Sequence, residues 1–373
     1  MQLKVIRELN TRIGGPSRTF EKGPVRIAGE QLEVAGIIEG EEIDGNNIWY
    51  RTGGIDDHHY WSGGVTPNMQ TLAPAANQKN SFGWFKSLGI ENIWQTYNEH
   101  GEHVKIAVLD TGYRLTCPDV SGAIQSSGIF TRQEHYPGIA LIIDDQSTVG
   151  HGTRCCSIIG SQNNSQWIVG IAPKCTLITG KISIDTELYD MRPIIDGIDW
   201  AIKQGADIIS ISFSKELTNQ QEIKNWEAKF DGLLTNNKVL IFAAAGNTSE
   251  GASGERYPAS FANCISVGAT DAGKRLSTIT LLSSRTILHA PGVDIESWGA
   301  GTSPDAASGT SFSTPIVAAV TGLAISYLRK RNISFTPQSL LADLINSADD
   351  IVEHPSKKII NIETLFTTLK NKS

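Results

Sequence analysis

The sequence predicts an α/β domain built on a mainly parallel central sheet, preceded by a small all-β module. Three observations carry this expectation. From Phe82 onward, apolar runs of strand length alternate with stretches of helical spacing, and strands separated by helices imply a parallel sheet covered on both faces. Up to about Val65, short alternating runs are instead cut by Gly-rich turns. The 373 residues are enough to bury one large core and carry an appendage.

Residues 1–65 hold runs such as Leu32, Val34 and Gly36-Ile37-Ile38, separated by turns like Gly14-Gly15-Pro16 and Gly45-Asn46-Asn47. Leu9-Asn10-Thr11-Arg12 before a Gly-Pro turn, then Trp49-Tyr50, then Tyr60-Trp61-Ser62-Gly63, resemble in their order bacterial SH3-like domains. Residues 66–81 are polar and rich in Pro, Ala, Asn and Gln without periodicity, the composition of a linker. In residues 82–373 the expected buried strands are Val104–Leu109, Leu177–Lys181, Ile208–Ile211, Val239–Ala245 and Ile265–Val267. Ile194–Lys203 and Gln220–Leu234 carry helical spacing, and a long Ala- and Gly-rich helix follows Ser311. The carboxyl ends of such strands are where chemistry gathers.

Charge and composition exclude some partners. With 39 acidic and 32 basic side chains and no basic stripe or tail, nucleic acid is not expected. Met1 to Phe20 contains no apolar core for a signal peptide, and no later stretch reads as a membrane span, so the expected location is cytoplasmic unless export is unconventional. Cys117, Cys155, Cys156, Cys175 and Cys264 are odd in number and show no C-x-x-C spacing, which predicts reduced, buried thiols.

Three polar residues sit at element boundaries beside glycine. Asp110 ends a strand in Asp110-Thr111-Gly112, and His151 opens a helix in Gly150-His151-Gly152-Thr153. Ser311 follows Gly309-Thr310 at the amino end of a buried helix, where its own N–H lacks an intrahelical acceptor. Singly each is read more simply as a turn former or a cap. Together, the chain order Asp, His, Ser is that of the subtilisin triad.

The chain is similar to the subtilisin family over nearly all of residues 82–369. Gly170-Ile171-Ala172-Pro173, Ala244-Ala245-Gly246-Asn247, Tyr257-Pro258-Ala259 and Ala290-Pro291-Gly292 resemble further family landmarks in the expected sequence. His151-Gly152-Thr153-Arg154-Cys155 looks like the kexin and furin histidine block, but Asp110-Thr111-Gly112 departs from that branch's Asp-Asp-Gly. The resemblance implies a three-layer subtilisin-like fold and a serine endopeptidase acting on protein or peptide substrates. In it Ser311 is the nucleophile, His151 the base, Asp110 its orienter and Asn247 an oxyanion donor.

It also implies that substrate lies as an added strand between Glu187-Leu188-Tyr189 and Ser212-Phe213-Ser214. Both segments depart from the family, which usually has glycines where this chain has Glu187, Tyr189 and Ser214. Arg256 matches the floor of the primary specificity pocket, with no carboxylate at Thr248 on its rim. Its guanidinium would select Asp or Glu before the scissile bond, or else turn outward to solvent or to Glu255. The spacing from His151 to Pro173 equals that of members with a calcium loop. Side chains of Asp119 and Asn164 and carbonyls of Gln162, Gln166 and Ile168 would supply most of a Ca2+ shell, with Gln78 the nearest further ligand. A polar surface loop is the alternative.

Cys155, one turn beyond His151, would lie beneath the imidazole and confer sensitivity to thiol reagents. Asp56-Asp57-His58-His59 reads as a solvated loop rather than a metal site. The aromatics of the amino-terminal module make either its own core or a surface for a targeting partner such as a peptide or cell-wall glycopeptide. The competing reading for the whole chain is a catalytically silent scaffold whose amino-terminal module binds peptides.

Overall fold

The computed structural model describes residues 83–372 except 163–167, 235–237, 251–254 and 302, together with the backbone of eight strands between residues 2 and 67. The chain divides into two compact units, Met1–Ala75 and Ala76–Ser373, with the division inside the stretch read as a linker.

In the first unit every described element is a strand. Glu21–Arg26, Leu9–Ile13, His58–Trp61, Asn46–Arg51 and Gly36–Ile43 form a five-stranded antiparallel sheet in that order. Gln31–Glu33, Gln2–Val5 and Val65–Pro67 form a second, three-stranded one. Trp49 is in register with Trp61, and Tyr50 with Tyr60. Asp56, Asp57 and Gln78 lie outside the described residues, as do all side chains of this unit.

The second unit holds a nine-stranded sheet. Its strands are β1 (Lys105–Asp110), β2 (Ile124–Ile129), β3 (Thr176–Lys181), β4 (Ile208–Ile211), β5 (Leu240–Ala244), β6 (Ile265–Thr270), β7 (Leu288–Pro291), β8 (Asp349–Ile351) and β9 (His354–Ile359). They run in the order β2-β3-β1-β4-β5-β6-β7-β9-β8, parallel throughout except for the edge strand β8. The longer helices are α1 (His151–Gly160), α2 (Arg192–Lys203), α3 (Gln220–Leu234), α4 (Thr310–Lys330), α5 (Pro337–Asn346) and α6 (Ile362–Lys370), and shorter ones span Gly83–Ser87, Ile90–Tyr97 and Pro118–Ser121.

Alternate strand residues face opposite layers. Ala107, Leu109, Ile209, Ile211, Ile241 and Ala243 pack with Ile194 and Ile198 of α2 and Phe230 of α3. Ile106, on the other side, meets α4, where Gly322 permits the approach: a Cβ there would stand 2.9 Å from Ile106 Cδ1. The result is three layers. Helix α4 is long and apolar enough to cross a membrane, contrary to expectation, but its apolar window is wholly buried and makes it the core helix.

The chain leaves β1 toward β2 and β3, then returns to its other side for β4 to β7. That reversal opens a crevice at the carboxyl end of β1. Asp110 is the last residue of β1, and His151 and Ser311 sit in the first turns of α1 and α4.

Strand β2, Ile-Gln-Ser-Ser-Gly-Ile, escaped the sequence reading because an edge strand needs no continuous apolar run. All five cysteines are free thiols, four of them buried.

Candidate active site

Asp110 and His151 meet because two turns touch. Gly112 has φ +93°, and Gly152 packs on it so closely that a Cβ would lie 2.1 Å from the Gly112 carbonyl oxygen. The fully buried Asp110 carboxylate accepts from His151 Nδ1 at 2.7 Å and from the Thr111 N–H at 2.8 Å, both on Oδ1. The His151 ring lies against Phe213 and Phe312. Burial pushes its pKa down, but the charge and hydrogen bond of Asp110, with the charge of Asp145, outweigh this and hold it above the ordinary value.

Asp145 was not singled out from the sequence, and it organises the layer beneath. Buried, its carboxylate accepts from the Thr111 hydroxyl (2.7 Å), from the Ser147 hydroxyl (2.7 Å) and from the N–H and hydroxyl of Thr153 (2.9 and 2.7 Å). The Ser147 hydroxyl in turn accepts from the His151 N–H at 2.9 Å, and that of Thr111 from the Gly152 N–H at 2.9 Å. The orphan amides that open α1 are thus satisfied, which fixes the helix end carrying the imidazole. Only the Asp-x-Ser sequence before Gly150 hinted at this.

Ser311 is anchored through a missing hydrogen bond. Pro315 has no N–H to give to the carbonyl four residues earlier. The Ser311 carbonyl instead accepts from the Ser212 hydroxyl at 2.7 Å, while the Ser311 hydroxyl donates to the Ser212 carbonyl at 3.2 Å. Cys155 Sγ lies 3.6 Å from the same Ser311 carbonyl and 3.4 Å from the Ser212 hydroxyl. Burial pushes the Cys155 thiol well above its ordinary pKa and keeps it protonated. Asn247 is oriented by Thr310, whose N–H and hydroxyl both donate to its Oδ1, at 3.0 and 3.2 Å. Asn247 itself lines the cavity beside Ser311.

Comparison with known proteins assigns the family. The family model described as "Subtilase family" matches residues 101–364. The chain belongs to the subtilase family. Thermitase of Thermoactinomyces vulgaris is 31% identical over 258 residues, 67% of this chain and 83% of thermitase. Subtilisin E of Bacillus subtilis strain 168 is 32% identical over 230 residues, 61% of this chain and 56% of that protein. Among solved structures, that of the prenylagaramide maturation protease PagA matches with a TM-score of 0.63 and 28% identity, covering 76% of this chain and 99% of that one. This subtilase is accordingly a serine endopeptidase.

A cavity of about 760 Å³ is lined by His151, Asn247 and Ser311 together with Glu187, Leu188, Ser212, Phe213, Ser214 and Arg256. Tyr189 is not part of it: the ring is 45% exposed and stacks on His135 at 5.3 Å. Arg256 is buried beside Gly246, where a Cβ would stand 2.8 Å from its Cγ. The carboxylate of its neighbour Glu255 accepts from Ser260 and Ser283. A role missed in the sequence belongs to Arg154. Buried, it donates to both carboxylate oxygens of Asp305 at 2.7 Å and to the Val149 carbonyl at 3.0 Å. That fastens α1 to the strand Asp305–Ala307, which forms another part of the cavity wall.

At the loop expected to hold calcium, Asn164 and Gln166 lie outside the described residues. Asp119 is fully buried, and its Oδ2 accepts from the Trp298 indole at 2.7 Å and the Ile168 N–H at 3.2 Å, while its carbonyl accepts from the Gln162 N–H at 3.0 Å. It therefore ties both ends of the loop. A buried carboxylate oriented by its own hydrogen bonds is how a metal-bound one is held, so Asp119 fits the part of one ligand.

Proposed function

We propose that this subtilase hydrolyses peptide bonds with Ser311 as nucleophile, His151 as general base and Asp110 as its orienter. The observation that carries the reading is the 2.7 Å bond from Asp110 Oδ1 to His151 Nδ1, which leaves Nε2 to take a proton. Ser311 turns its hydroxyl from the Ser212 carbonyl toward Nε2 and attacks the peptide carbonyl as the proton leaves. The oxyanion accepts from the Asn247 side-chain amide and the Ser311 N–H, and His151 returns the proton to the leaving amine. Water then hydrolyses the ester by the same route. Labelling with a fluorophosphonate tests this: wild type labels, Ser311→Ala does not, and labelling that persists in the variant overturns the assignment.

The cleft reads acidic side chains. Arg256, buried at the cavity floor, draws Asp or Glu into the position before the scissile bond. Bulkier rails than the family's glycines suit cutting at chosen sites. PagA is a maturation protease, and limited processing is the role proposed here too. When bound, Ca2+ would stiffen the loop at residues 162–168 through Asp119 and Asn164 and the carbonyls of Gln162, Gln166 and Ile168. An SH3-like amino-terminal module recruits a peptide or glycopeptide partner, and the enzyme works in the cytoplasm. Intact mass of the active enzyme checks the module's role, since recruitment requires that residues 1–81 be retained.

A further inference from the structure

A peptide that adds as a strand needs the backbone groups of the rail beside it. Along Glu187–Leu188 those groups are already engaged. The Glu187 N–H donates to Asp185 Oδ1 at 2.9 Å, and the Glu187 carbonyl accepts from the Ser183 hydroxyl at 2.6 Å. The Leu188 carbonyl accepts from Lys215 Nζ at 3.3 Å. The first two partners come from the rail's own loop. Lys215 comes from the opposite rail, so its side chain crosses the cleft.

Lys215 differs from Arg154, another cation of the cavity wall, in its electrostatics. Arg154 is neutralised by Asp305. Lys215, half-buried, makes no ion pair among the described residues, although Glu187 and Glu216 line the same cavity. Its backbone is pinned by pairing with Tyr257, as that of Glu216 is with Arg256, so only the side chain is left to swing. Its distance from the chemistry is bounded by the chain. Ser212 receives the Ser311 hydroxyl, and Lys215 stands three residues on from it, at most about 11 Å away. The direction is that of Ser214 and Arg256, the side proposed to hold the residue before the scissile bond.

We infer that Lys215 is a specificity-determining residue that selects peptides with an acidic side chain about three residues before the scissile bond. The inference rests on the peptidase reading above. A neutral peptide entering this part of the cleft breaks the bond from Lys215 to the Leu188 carbonyl and gives the ammonium nothing equivalent. An Asp or Glu at that level replaces it with a charge-assisted hydrogen bond, which is stronger than one to a neutral carbonyl. A lysine there meets an unneutralised cation.

The test uses quenched-fluorescence peptides that share one residue before the scissile bond and differ only three residues before it, carrying Glu, Gln or Lys. Wild type is expected to favour Glu over Gln by about tenfold in kcat/KM, mainly through KM, and to handle Lys worst. Lys215→Ala flattens the series, and Lys215→Glu inverts it in favour of Lys. The inversion is a gain that misfolding cannot produce. A wild type indifferent to charge, or a Glu preference that survives in Lys215→Ala, overturns the inference. A wild type that fails to label with fluorophosphonate overturns the peptidase reading instead.

Discussion

The two ends of the cavity are built on opposite plans. At the reacting end the supporting polar groups are tied from several sides. Asp145 alone accepts from Thr111, Ser147 and Thr153, and Pro315 leaves the Ser311 carbonyl to be fastened by Ser212. At the reading end, Leu188 and Lys215 share one long bond, and Tyr189 leans outward on His135. Preorganisation is needed where charge develops during the reaction, whereas recognition can be completed by the substrate itself. Substitutions at the first end should therefore depress turnover for every peptide, and those at the second should redistribute activity among peptides.

The largest effect is expected at Asp110. Asp110→Asn keeps the shape but loses the charge that stabilises the imidazolium and sets its tautomer. A fall in kcat of about 10⁴ is the outcome known for the equivalent change in a chymotrypsin-type triad. Steady-state kinetics on any cleaved peptide measures it, and a loss below tenfold would place the base elsewhere. Next comes Asn247→Ala, which removes an oxyanion donor and should lower kcat by about 10²–10³ with little change in KM. Thr310→Val removes only one of the two donors to Asn247 Oδ1, so its loss should be smaller and in the same parameter. If Thr310→Val changed KM alone, Asn247 would be binding substrate and not the transition state.

At the reading end, Arg256→Gln should leave turnover of the best neutral peptide within a few-fold while cutting the preference for Asp or Glu before the scissile bond by about tenfold. Digestion of a peptide library by both forms measures this. A wild type that cuts mainly after aromatic or aliphatic residues would remove the premise.

The contrast also explains what could be read from the sequence. That Asp110, His151, Ser311 and Asn247 come together was legible because each lies at an element boundary close to a glycine, and boundaries and glycines leave marks in one dimension. The strand Ile208–Ile211 and the helix Gln220–Leu234 were legible from apolar spacing. The supports were not. Asp145 approaches Thr111 across 34 positions, and Arg154 approaches Asp305 across 151. The place of the Tyr189 ring outside the cavity was hidden for a related reason: its outward turn goes with the stack on His135, a residue remote in sequence. Strands β8 and β9 and helices α5 and α6 lay beyond the last feature that the resemblance marked.

The last effect, on stability and not on turnover, concerns a second buried histidine, and it separates burial from function. His289 in β7 is as inaccessible as His151, yet its Nδ1 faces two neutral carbonyls, of Ile287 and Lys358, at 3.1 and 3.2 Å. Burial therefore dominates and lowers its pKa from 6.5 to about 4, whereas the carboxylates around His151 reverse the shift there. With the folded value below the unfolded one, the unfolded chain binds the proton first as pH falls. The contribution of His289 is thus complete above pH 6.5 and is lost toward pH 4, an acid-linked loss of about 3 kcal/mol. Denaturant titration should show wild type losing about that much more than His289→Gln between neutrality and pH 4. Equal losses in the two proteins would mean that β7 tolerates a charged ring, and that burial alone does not set the state of a histidine in this core.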